Sequence, residues 1–160
     1  MGDGSSYPAL LAVGFHVISV MEIRELCVED ARFHLSRRRA RIMENLATLI
    51  DGLRQIGIDR KVWIDGSFLT EKIEPADVDI LVDLRDETVR ALSPQQRADI
   101  DWLHENKEIK TDYDCDSHVL VTWPVGDPSY RHGDWLRAFY QKLFGWDEFF
   151  EMKGIAVVLL

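Results

Sequence analysis

The sequence predicts an α/β domain of the α+β kind, a small mixed sheet flanked by helices. Three observations carry that expectation. The hydrophobic spacing switches repeatedly between three- and four-residue steps and short, nearly continuous apolar runs. The helix-like segments carry recognisable caps and stops. Strand-like and helix-like segments alternate along the chain rather than gathering in separate halves. With 160 residues, the chain is long enough for one domain and marginal for two.

Residues 1–8 are small and polar and read as a flexible lead-in, leaving 9–160 as the domain. Residues 9–18 are apolar but interrupted by Gly14, which predicts a packed N-terminal arm, and a short helix follows over Val20 to Glu29. The next helix is better marked. Ser36 caps its start, Ile42, Leu46, Leu49, Ile50, Leu53 and Ile56 recur at helical steps, and Gly57 supplies the stop. Residues 61–65 read as a short strand ending in a Gly-Ser turn, and Asp77 to Asp83 as a mostly buried one. Ser93, Pro94 and Gln96 form a capping box with proline at the first helical position, so a helix is expected over 94–106. Residues 115–123 read as a strand and 129–144 as a helix, with Trp135, Leu136, Phe139, Tyr140 and Leu143 on one face. Ile155 to Leu160 is a last strand or an apolar tail.

Charge limits the function classes. Nineteen basic residues against 28 acidic ones give −9, which excludes a whole-surface cation for gripping nucleic acid. Two cysteines, Cys27 and Cys115, are too few for a disulfide framework. A reducing, cytoplasmic setting is expected. No apolar run approaches the roughly 18 residues of a membrane span. P-loop and Rossmann glycine patterns are absent.

The chemistry concentrates between Trp63 and Asp83. Gly66-Ser67 directly follows a strand, nine residues intervene, and Asp77-x-Asp79 opens the next strand. Side chains at i and i+2 of a strand share a face, roughly 6.6 Å apart. Two such carboxylates can reach a pair of magnesium ions about 3.5–4 Å apart, and magnesium favours carboxylates together with phosphate oxygens. The Gly-Ser turn offers N–H groups and a hydroxyl to phosphate. Such a site needs a third carboxylate, for which Asp112, Asp114 and Asp116 are candidates. Asp116 is favoured over Asp114 because it opens the stronger apolar run, although the strand's phase leaves both open. Lys72 lies where an ammonium can touch a β- or γ-phosphate, or stand solvated in a loop. Thr70 more simply stabilises the turn.

The run Gly66-Ser67-Phe68-x-Thr70-x-Lys72-x-x-Pro75-x-Asp77-Val78-Asp79 resembles the polymerase-beta-type nucleotidyltransferase superfamily. Within it, the run resembles a small bacterial family akin to the minimal nucleotidyltransferases of toxin–antitoxin and defence loci. Cys115-Asp116, Phe144-Gly145 and Lys153-Gly154-Ile155 fit the same layout. The resemblance implies a minimal polymerase-beta-like fold, with Gly66, Ser67 and Lys72 on the triphosphate. Asp77, Asp79 and Asp116 would hold Mg2+ or Mn2+ and act catalytically. The implied reaction moves a nucleoside monophosphate from an NTP to a protein, RNA or nucleotide acceptor. Larger relatives carry a further helical domain for which this length leaves no room, so the N-terminal helices, a second protomer or a partner protein are implied at the acceptor side. The alternative is a catalytically weak interaction module of the same fold, an antitoxin or regulatory subunit.

Other residues have simpler readings. The Arg37–Arg41 run can meet RNA phosphates but more often forms a solvated helix face. Cys115 and His118 have a C-x-x-H spacing without the second ligand pair that zinc requires. The five tryptophans suit core or interface packing, with one free to stack on a base.

Overall fold

The computed structural model describes residues 6–58, 60–104 and 106–160. Its centre is a five-stranded mixed sheet of β1 (Gly14–Val17), β2 (Lys61–Asp65), β3 (Val78–Arg85), β4 (Cys115–Thr122) and β5 (Gly154–Leu159), ordered β1-β5-β2-β3-β4. β1 runs parallel to β5 and β3 to β4, whereas β2 is antiparallel to both of its neighbours. The helices are α1 (Val20–Arg24), α2 (Arg39–Ile56), α3 (Asp86–Ala91), α4 (Pro94–Leu103), α5 (Lys107–Tyr113) and α6 (Tyr130–Gly145). The predicted α+β class is the observed one.

Local chemistry places the boundaries. Ser36 Oγ accepts from the amides of Arg38 and Arg39 at 3.3 and 3.2 Å, and Gly57 ends α2 in the left-handed region at φ 84°. Both halves of the Ser93–Gln96 capping box form, but α4 stops at Leu103. Asn106 then caps the separate α5 by accepting from the Glu108 amide. Helix α1 continues as a π-helical turn over Glu25–Glu29.

Two apolar layers sandwich the sheet. On one face Ile42, Leu46, Ile50 and Leu53 of α2 meet Ile64, Ile80, Val82 and Val158. On the other, Tyr140 and Phe144 of α6 pack on Trp63, Leu81, Leu120, Ile155 and Val157. The predicted face of α6 needs correction. Leu136 and Tyr140 turn inward, while Trp135, Phe139 and Leu143 are exposed. Gly133 sets this rotation: a Cβ there would lie 2.9 Å from the Trp123 ring and 3.2 Å from Thr122 Cα. The helix therefore seats its glycine side on β4, and Trp135 and Phe139 stack on one another outside.

The predicted N-terminal arm becomes edge strand β1, largely exposed. Of the expected lead-in, residues 1–5 lie outside the described residues. The rest is held in place, because Ser6 Oγ donates to Asp147 Oδ2 and the Pro8 carbonyl accepts from the Glu71 amide. Both cysteines are buried, and burial pushes their thiols up to about 12. No described helix is long and apolar enough to cross a membrane.

Candidate functional site

Strand register brings the carboxylates together. Asp79 pairs across β3–β4 with Asp116 and across β2–β3 with Asp65, so the three stand side by side on the α6 face of the sheet. Asp77 lies one residue ahead of β3. Asp65, Asp79 and Asp116 line a cavity of about 170 Å³ with His118, Leu143 and Phe144. Burial, reinforced by the neighbouring charges of Asp77 and Asp116, pushes the Asp79 carboxyl up to about 6. Burial likewise raises Asp65 to about 7, although Lys153 Nζ lies 2.9 Å from its Oδ2. Asp65 Oδ1 has no hydrogen-bond partner among the described residues.

Gly66 follows Asp65 and turns the chain at φ 87°, ψ −170°. A Cβ at this position would meet Asp79 Oδ2 at 2.3 Å, so both conformation and space require glycine. Gly66→Ala is therefore expected to cost about 1–3 kcal/mol and to displace the Asp79 carboxylate. Urea unfolding measures the first effect, and unchanged stability would refute this account of the turn. Beyond Gly66, Thr70 Oγ1 donates to the Ser67 carbonyl at 2.8 Å, so Thr70 closes the turn. Gly66, Ser67, Lys72, Asp79, Trp146 and Lys153 are among the residues lining a second cavity of about 210 Å³. Lys72 Nζ there lies 5.6 Å from the centre of the Tyr7 ring.

All six candidate residues thus lie around one place. Among the described residues no three His, Cys, Asp or Glu side chains form a ready metal cage. Instead, Lys110 Nζ lies 2.5 Å from Asp116 Oδ2 and 3.1 Å from Asp77 Oδ2, and these hydrogen bonds push the ammonium further up.

A family model matches residues 5–158, a span that holds β1 to β4, all of β5 but its last residue, and every residue of the site. The chain belongs to DUF6932, a family of unknown function. No curated protein and no solved structure matches it.

In this DUF6932 chain the rival third carboxylate is otherwise engaged. Asp114 is buried at the left-handed C-cap of α5, where Arg41 and Arg38 reach it at 2.7 and 3.2 Å. That corrects the reading of Arg37–Arg41 as a solvated basic face, because two of its arginines are tied to Asp114 and Arg39 is 1% exposed. Arg39 donates to the carbonyls of Cys27, Phe68, Thr70 and Lys72 and lies 3.7 Å over the Phe33 ring. Cys115 points into the core, whereas His118 lies against Tyr140 and Phe144, so the C-x-x-H spacing does not converge.

Sequence reasoning missed Asp65, Lys110 and Arg39 as parts of the site. Asp65 carried a signal, since it sits two residues from Trp63 on the same strand face as the later carboxylates. Lys110 lies on a helix the sequence did not announce, and nothing in its spacing marks it.

Proposed function

We propose that this protein is a metal-dependent nucleotidyltransferase, moving a nucleoside monophosphate from an NTP to a hydroxyl on a protein, RNA or nucleotide acceptor in the cytoplasm. The observation that carries this reading is the registered pair Asp79–Asp116 beside the Gly66 turn, with Lys72 and Lys153 lining the adjoining cavity. The donor set is all oxygen and already attracts a cation, which suits a hard divalent ion such as Mg2+ or Mn2+. Asp77, Asp79 and Asp116 would hold it, and it would supply positive charge to the triphosphate.

The chain's own groups do the rest. The turn after Gly66 and the Ser67 hydroxyl offer donors to phosphate oxygens. Lys72 and Lys153 offset the charge that builds on the leaving pyrophosphate. The acceptor oxygen attacks the α-phosphorus as the bond to pyrophosphate breaks, and Asp116 takes the hydroxyl proton. Incubating the protein with each α-labelled NTP, magnesium and cell lysate tests the reading. Label should pass to an acceptor with wild type, and be lost with EDTA or in Asp77→Ala plus Asp79→Ala. No transfer with any of the four NTPs would overturn it.

The exposed Trp135, Phe139 and Leu143 favour a second reading, an interaction module of the same fold that regulates a partner protein. Such a module would capture a partner from the lysate and transfer no label.

A further inference from the structure

We infer that Lys110 is the resident cation of the carboxylate site and gives up its place to the divalent ion, an inference that rests on the function proposed above. Its ammonium bridges Asp116 Oδ2 and Asp77 Oδ2 at 2.5 and 3.1 Å. No other lysine or arginine among the described ion pairs touches either carboxylate, and Lys153 pairs with the neighbouring Asp65. His118 Nε2 also approaches, 3.8 Å from Asp116 Oδ1.

The backbone beneath Lys110 is fixed while its side chain is free to leave. Helix α5 is pinned by the Asn106 cap and by Ile109, which is fully buried. The Lys110 side chain is 51% exposed, and an ammonium on a four-carbon stem turns easily to solvent. Asp65, Asp77, Asp79 and Asp116 outnumber the two ammonium groups beside them, Lys110 and Lys153, so the cluster stays anionic with lysine in place. A divalent ion neutralises it better and must use the same Asp77 and Asp116 oxygens, so the two cations compete. Once displaced, the ammonium is available to the incoming triphosphate, whose charge matches it. Lys110 thereby holds the carboxylates together without metal and serves the substrate with it.

Mn2+ alone is the probe. Its affinity is measured by electron paramagnetic resonance, without nucleotide, for wild type, Lys110→Met and Lys110→Arg. Lys110→Met is expected to bind Mn2+ at least tenfold tighter than wild type, with Lys110→Arg no tighter than wild type. In wild-type protein, acylation of Lys110 by an amine-reactive ester, read by mass spectrometry, should rise at least threefold when Mn2+ is added. That second measurement stands even if a variant fails to fold. Equal or weaker Mn2+ binding by Lys110→Met, or labelling of Lys110 indifferent to Mn2+, overturns the inference alone if label transfer from NTP persists. Absence of Mn2+ binding in both wild type and Lys110→Met overturns the inference and the metal-dependent reaction together.

Discussion

Asp79→Asn is expected to lower the proposed nucleotidyl transfer by roughly three orders of magnitude and, at the same time, to raise the stability of the metal-free protein. Burial and the charges of Asp77 and Asp116 lift this carboxyl from its ordinary 3.8 to about 6. A carboxyl raised on folding contributes stability that is fully present below pH 3.8 and is lost as pH rises through 6. At pH 7.5 the folded protein thus carries the whole cost of an ionised, crowded carboxylate, on the order of 3 kcal/mol. Asparagine keeps the shape and removes the charge. Melting in EDTA should show the variant above wild type at pH 7.5, with the difference shrinking towards pH 4. A variant less stable than wild type at pH 7.5 would mean that the carboxylate is compensated by its surroundings. Loss of activity with gain of stability at one residue is the mark of a group kept for chemistry.

Arg39→Met is expected to do the reverse, destabilising the fold by about 3–5 kcal/mol. The guanidinium is 1% exposed, and burial lowers it only to about 10, so it stays charged at neutral pH. Without it the carbonyls of Cys27, Phe68, Thr70 and Lys72 lose their shared donor. Each buried acceptor left unmet costs about 1–3 kcal/mol. Since three of the four lie between residues 68 and 72, the loop after the Gly66 turn loosens together with Lys72. Lysine at 39 cannot rescue the loss, because one ammonium does not reproduce the planar fork. Exposed Arg37 is the control, and Arg37→Ala should change stability by less than about 0.5 kcal/mol. Chemical unfolding of the three variants checks the order, and a mild Arg39→Met would show that water serves those carbonyls.

The contrast between Arg37 and Arg39 shows where the sequence was legible. Helix α2 was readable because six apolar residues repeat at helical steps, and β3 because its apolar run is nearly unbroken. Such patterns report burial directly. Neighbouring arginines carry no comparable signal, since the direction each takes depends on carbonyls supplied by distant segments. The same holds for Asp114 and Asp116. Strand register decides which stands beside Asp79, and that register pairs Asp79 with Asp116 while Asp114 ends α5 ahead of the strand, which local spacing does not reveal. Helices α3 and α5 span six and seven residues, too short for a periodic pattern to declare them. Asp77, Asp79, Gly66 and Ser67 were legible as a motif, whereas Lys110 became visible only through the helix that aims it.

The strand order has a consequence in time. β5 is made last, yet it lies between β1 and β2. Until residues 154–159 emerge, β1 has no partner, β2 presents a bare edge open to wrong pairing, and Asp65 lacks Lys153. A nascent chain that already contains Asp77, Asp79 and Asp116 therefore has no finished cavity beside them. Closure of such long-range pairings is slow, so synthesis itself delays the site until β5 has joined the sheet.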